Sequence, residues 1–158
     1  MSEHNLLQRC KYVKGLDPVA DYTAGDPVYT DIIKMGNWET ATFFVYKGVG
    51  TTGTATITLQ ACDDNEASNT SNVGFRYSSN TATDVIGDLT TVTSAGVLIS
   101  AGSSQIWAAT VDASELTNSY KFVRLALNET DSTAVLGGVM CILTGGSDQG
   151  DDLATVIA

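Results

Sequence analysis

The stretch GTATITLQACDD, residues 53–64, alternates strictly. Ala55, Ile57, Leu59 and Ala61 are apolar, while Thr54, Thr56, Thr58 and Gln60 are polar and carry no charge. A period of two places each set on its own face of a β-strand. The same period returns in YKFVRLALN (120–128), where Val123, Leu125 and Leu127 alternate with Phe122, Arg124 and Ala126. Nowhere does a helical period run beyond two turns. About eight short strands separated by turn residues predict an all-β fold: an antiparallel β-sandwich of jelly-roll-like type.

Ten stretches are candidates for them: 28–33, 39–46, 54–62, 73–77, 82–86, 89–92, 97–100, 105–111, 120–128 and 134–143. The glycine-rich link from Lys47 to Gly53 reads as a hairpin loop, and Glu129–Thr133 reads as a second one. Asp63–Asn72 reads as a polar loop. Asp112 and Glu115 have the spacing of a capping box on a single helical turn. Gly137-Gly138 marks a bulge or the close approach of another backbone. Residues 1–15 read as an N-terminal arm, 16–145 as the sandwich domain, and 146–158 as a flexible acidic tail with an apolar end.

Charged residues make up only 16% of the chain, and Thr, Ser, Asn and Gly take their place. The net charge of −10 argues against nucleic acid as a direct partner, because an acidic surface repels a polyanion. Three of the eight basic residues, Arg9, Lys11 and Lys14, fall in the first fourteen positions, so the rest is still more acidic. The opening MSEHNLLQRCKYVKG has no apolar core of a signal peptide, and no apolar run is long enough for a membrane span, so folding in a cytoplasm and no membrane partner are expected. Cys10, Cys62 and Cys141 are odd in number and have no CxxC spacing. Cys62 and Cys141 read as buried, inert thiols.

Little here points to catalysis. His4 is the only histidine, and a nucleophile–histidine pair would have to use it. No phosphate-cradling loop is present, and no carboxylate pair stands out as an acid and base. No enzyme activity, cofactor or metal is therefore expected. Asp63, Asp64 and Glu66 form the densest acidic cluster and are candidate weak calcium ligands, though the spacing is not that of an EF-hand. Trp107 reads as core. Trp38, at the start of a strand, reads as either rim packing or part of a sugar-stacking platform. The neutral Thr, Ser and Asn face suits a surface held against copies of itself or a scaffold, since interface centres are depleted in Lys and Glu.

The run GDPVYTDIIKMGNWETATFFVYKGVGTTGTATITLQACDD (25–64), with YKFVRLALNETDSTAVLGGVMCIL (120–143), resembles the small virion proteins of tailed bacteriophages, which include capsid decoration or cement proteins. The likeness covers about half of the chain. It implies a jelly roll or related sandwich that binds the outside of a capsid, with the major capsid protein and copies of itself (as dimer or trimer) as partners. The contacts expected are Leu6, Leu7, Arg9 and Lys11 in the first arm and Leu153, Val156 and Ile157 in the tail. The alternative expectation is a tail or fibre component, or a receptor- or carbohydrate-binding module on the same sandwich.

Overall fold

The computed structural model describes residues 9–24, 27–50, 52–131 and 133–146. These form twelve strands: β1 (Cys10–Val19), β2 (Val28–Tyr29), β3 (Ile33–Lys34), β4 (Thr40–Lys47), β5 (Ala55–Cys62), β6 (Thr70–Val73), β7 (Phe75–Asn80), β8 (Thr90–Val92), β9 (Val97–Ile99), β10 (Gln105–Asp112), β11 (Phe122–Glu129) and β12 (Gly137–Thr144). Two single 3-10 turns, Ala113–Glu115 and Thr117–Ser119, separate β10 from β11. Among the described residues no helix is long and apolar enough to cross a membrane.

Two antiparallel sheets face each other. The front sheet has the order β1-β12-β4-β10-β7-β8, and the back sheet the order β2-β11-β5-β6, with β3 also on β11 and β9 also on β5. Most connections carry the chain from one sheet to the other, which is the winding of a jelly roll. β7 and β8 widen the front sheet beyond it. The strands form because β-branched and aromatic residues occupy them at period two. In β4, Ala41, Phe43 and Val45 point inward, and in β5, Ala55, Ile57, Leu59 and Ala61 do. They meet Trp107, Ala109 and Val111 of β10, Val123, Leu125 and Leu127 of β11, and Cys141 and Leu143 of β12 in one core.

Several expectations need correcting. β4 and β5 lie in different sheets, as do β11 and β12. The links at 48–54 and 130–136 are therefore arches across the sandwich rather than hairpins. The polar loop after Cys62 is the true hairpin, pairing Cys62 with Thr70 and Leu59 with Val73. The stretch expected as one strand at 73–77 changes sheet at Gly74. Val73 ends β6 in the back sheet and Phe75 starts β7 in the front, and a Cβ on Gly74 would sit 3.0 Å from the Val92 carbonyl.

Residues 82–86 form no strand. They hold only an Ala82–Val85 bridge. The stretch 28–33 breaks at Thr30, whose hydroxyl accepts the Leu125 N–H at 3.0 Å in place of a backbone partner. The arm boundary also moves: Cys10–Lys14 pair with β12, so that part of the first fifteen residues is the edge of the front sheet. Gly137-Gly138 does meet another backbone, since a Cβ on Gly138 would lie 3.1 Å from the Leu16 carbonyl, where β1 bulges.

Candidate interaction surface

The pairing registers give the outer face of the front sheet row by row. Tyr12 stands beside Ile142, then Thr42, Thr110 and Arg76. The next row runs Lys14, Met140, Phe44, Ala108, Ser78. The third runs Gly138, Tyr46, Ile106, Asn80. Apolar side chains thus project outward as well as into the core. Tyr12 is 66% exposed, Tyr46 54%, Met140 45% and Ile106 39%.

Between the rows lies an open groove of about 660 Å³ lined by Leu16, Pro18, Phe44, Tyr46, Met140 and Ile142, among others. Lys14 and Asp17 are the only charged residues among its described lining. They pair with each other on the exposed lip at 2.9 Å, and the hydrogen bond to Asp17 raises the Lys14 pKa. Gly138 keeps the floor open, because any side chain there would fill the space beneath Pro18.

The other charges of the face are gathered at the β7–β10 end. Arg76 donates to Asp112 at 2.6 Å and Glu115 at 3.2 Å, and Thr40 donates to Asp112 at 2.8 Å. The Arg76 hydrogen bond, then that of Thr40, lowers the Asp112 carboxyl. Glu115 also accepts the Asp112 N–H at 2.9 Å, the bond expected from the capping-box spacing.

The back sheet is the opposite case. Its outer face carries the neutral threonine row, but those groups bond to one another. Asn128 donates to the Thr58 hydroxyl at 3.4 Å, Gln60 to Asn72 at 3.1 Å, and Arg124 to Gln60 at 2.9 Å. Thr54 and Thr130 share a bond of 2.7 Å. The Arg124 guanidinium also lies over the Tyr29 ring, 3.7 Å from its centre, a cation–π contact. Much of this face is therefore already bonded within the sheet, Thr58, Gln60, Asn72, Arg124 and Asn128 among its members.

The residues singled out from sequence fall in several places. Arg9 is exposed just before β1. Lys11 is half-buried in β1 opposite Leu143. Leu6, Leu7, His4, Leu153, Val156 and Ile157 lie outside the described residues. Asp63, Asp64 and Glu66 sit at the β5–β6 turn. There Asp64 accepts the N–H groups of Glu66 and Ser68 at 3.0 Å each, and Asp63 accepts both the backbone and side-chain N–H of Asn69 at 2.9 and 2.6 Å. Among the described residues no three His, Cys, Asp or Glu side chains converge to hold a metal ion.

Trp107 is core, stacked on Tyr77 and donating to Gln105 at 3.1 Å. Trp38 is buried as well, so neither tryptophan is available as a sugar platform. All three cysteines are buried and free, and burial pushes the Cys141 thiol up to about 12. Sequence reasoning missed the front face itself and the buried Lys47. The signal for the face was present: ETATFFVY and AVLGGVMCIL are apolar at both parities, which a strand with one solvated face has no need to be.

No family model matches the chain, and no curated protein does. Among solved structures, the crystal structure of the SPBc2 prophage-derived protein YomS is similar, with a TM-score of 0.48 at 12% identity, covering 86% of this chain and 93% of that chain.

Proposed function

We propose that this chain is a structural virion protein of a tailed phage that coats the outside of the capsid and stabilises the shell as a cement or decoration protein. The observation that carries the reading is the apolar outer face of the front sheet. A protein with a net charge of −10 that gathers Tyr12, Tyr46, Ile106 and Met140 on one exposed surface is built to have that surface covered in an assembly. The likeness of residues 25–64 and 120–143 to small virion proteins supplies the class of partner, a capsid lattice. On a repeating lattice, modest contacts made by many copies add up through effective concentration. The protein then acts by adhesion, with no bond-making step and no cofactor.

The test uses purified heads stripped of the protein. Wild type, Tyr12→Glu, Met140→Glu and a deletion of residues 1–8, which leaves β1 whole, are added back, and retention on sedimented heads is measured. Wild type is expected to bind and both charged variants to lose occupancy, with circular dichroism unchanged. Wild type that fails to bind heads removes the capsid role. Charged variants that bind like wild type remove the front face from it.

A further inference from the structure

The front sheet carries an apolar projection as well as an apolar groove. The loop joining β7 to β8 presents Val85, Ile86 and Leu89 at 59%, 78% and 64% exposure. It is held in shape at its base. Val85 bridges to Ala82, the Gly87 N–H donates to the Ser79 carbonyl at 2.8 Å, and Asp84 takes the left-handed conformation at φ 61°. A shaped loop that leaves three large apolar side chains in water is not packing for its own fold. None of its residues lines the groove of its own chain.

The charges of the two features are complementary. Asp84 and Asp88 bracket Val85 and Ile86 on the loop. Lys14 is the one cation among the described residues of the groove lining, and its bond to Asp17 is an exposed pair. Exposed pairs of this kind contribute little to stability, so Lys14 can exchange Asp17 for a carboxylate that arrives beside an apolar tip.

We infer that the loop 81–89 of one copy seats in the front-sheet groove of a second copy, with Ile86 against Met140 and Phe44 and an acidic flank of the loop at Lys14. Projection and groove are different surfaces of one molecule. The contact is therefore heterologous, and it repeats head to tail, closing into a ring or continuing as a chain. The inference rests on the reading that the front face is covered in an assembly, and it names the occupant of the groove.

The experiment needs no capsid. Ile86→Cys and Met140→Cys are made singly in the full chain, purified, and oxidised alone and mixed; the native cysteines are buried and stay out of the reaction. The mixture is expected to give disulfide-linked dimers that neither variant gives alone. Sedimentation of wild type is expected to show concentration-dependent association, weakened about tenfold or more by Ile86→Glu, which removes the apolar burial at the tip. The Ile86 side chain is exposed, so the fold is expected to survive the change, as near-ultraviolet circular dichroism will report.

Met140→Cys crosslinking by itself as strongly as the mixture overturns the inference in favour of groove-to-groove pairing. Association that survives Ile86→Glu but is lost on deleting residues 147–158 overturns it in favour of the tail as occupant. A wild type that stays monomeric at all concentrations overturns it outright. Crosslinking without head binding counts against the capsid role alone, and head binding without crosslinking counts against this contact alone.

Discussion

Tyr22 is 2% exposed, and its ring packs so closely on Gly137 that a Cβ there would come within 2.7 Å of it. Burial pushes the phenol up from 10.0 to about 12. A raised pKa of an acid fixes the sign: the contribution to stability is whole below pH 10, where both states are protonated. Above it the unfolded tyrosine ionises first, and the contribution is lost progressively up to the folded value. A separation of about two pH units is worth about 2.7 kcal/mol in total, of which about 1.4 kcal/mol has gone by about pH 11. Cys141, pushed up to about 12, acts with the same sign, and the buried Lys47, whose pKa is lowered by desolvation, acts against both. Wild type alone therefore mixes several titrations, that of the Cys62 thiol, also pushed up by burial, among them. Comparison with Tyr22→Phe isolates one of them. Urea denaturation of both proteins between about pH 8 and pH 11 should show the stability of wild type relative to Tyr22→Phe falling by about 1.4 kcal/mol. A difference that stays constant over that range would mean the phenol ionises in the folded protein as readily as in water, and the burial argument would be wrong.

Two substitutions probe other parts of the frame. Lys47 is fully buried, and its ammonium donates to the carbonyls of Gly53 at 2.6 Å and Ser100 at 3.0 Å. Lys47→Met keeps the apolar stem and strands those acceptors, so urea denaturation at neutral pH should show a loss of about 1–3 kcal/mol; an unchanged midpoint would mean water replaces the ammonium. Gly137→Ala puts a methyl 2.6 Å from the Tyr46 carbonyl and against the Tyr22 ring, so it should lower Tm and cost about 1–3 kcal/mol. A Tm equal to wild type would show that β12 can shift there freely.

The strands were legible in the sequence wherever only one face of a strand is apolar. GTATITLQ and YKFVRLALN fixed the inward sets of β5 and β11 without ambiguity, because slipping the pairing by one residue would exchange the two faces. Which strand pairs with which was not legible. Lys47–Gly53 has the glycines of a hairpin, but a chain that arches from one sheet to the other needs the same turn chemistry, and only long-range packing decides between them. The bare apolar front face was hidden for a related reason. Apolar residues at both parities, Phe44, Tyr46 and Met140 among them, suit a strand buried on both sides equally well, and nothing local says that the second side is bare. The threonine row was misleading in the opposite direction. Its polarity was plain, but Asn128, Arg124 and Asn72, which satisfy much of it, are far away in sequence or on neighbouring strands.

The two outer faces answer the problem of adhesion differently. On the back sheet, Thr58 is buried beneath Asn128, and Arg124 is held between Gln60 and Tyr29, so a partner docking there would have to displace bonds already made. The groove of the front face asks for the exchange of one exposed pair at most, Lys14 with Asp17. Its apolar groups have only water to lose, and removal of that area from water is favourable at about 25 cal/mol per Å². An exposed apolar face invites indiscriminate aggregation, and the distribution of charge opposes it. Among the described residues every carboxylate but Asp17 lies outside the groove lining, so approach in a wrong orientation brings acid against acid, while approach through the groove meets Lys14, paired there with Asp17. In the proposed assembly, repulsion elsewhere would select the orientation, and the apolar groove would supply the affinity once that orientation is reached.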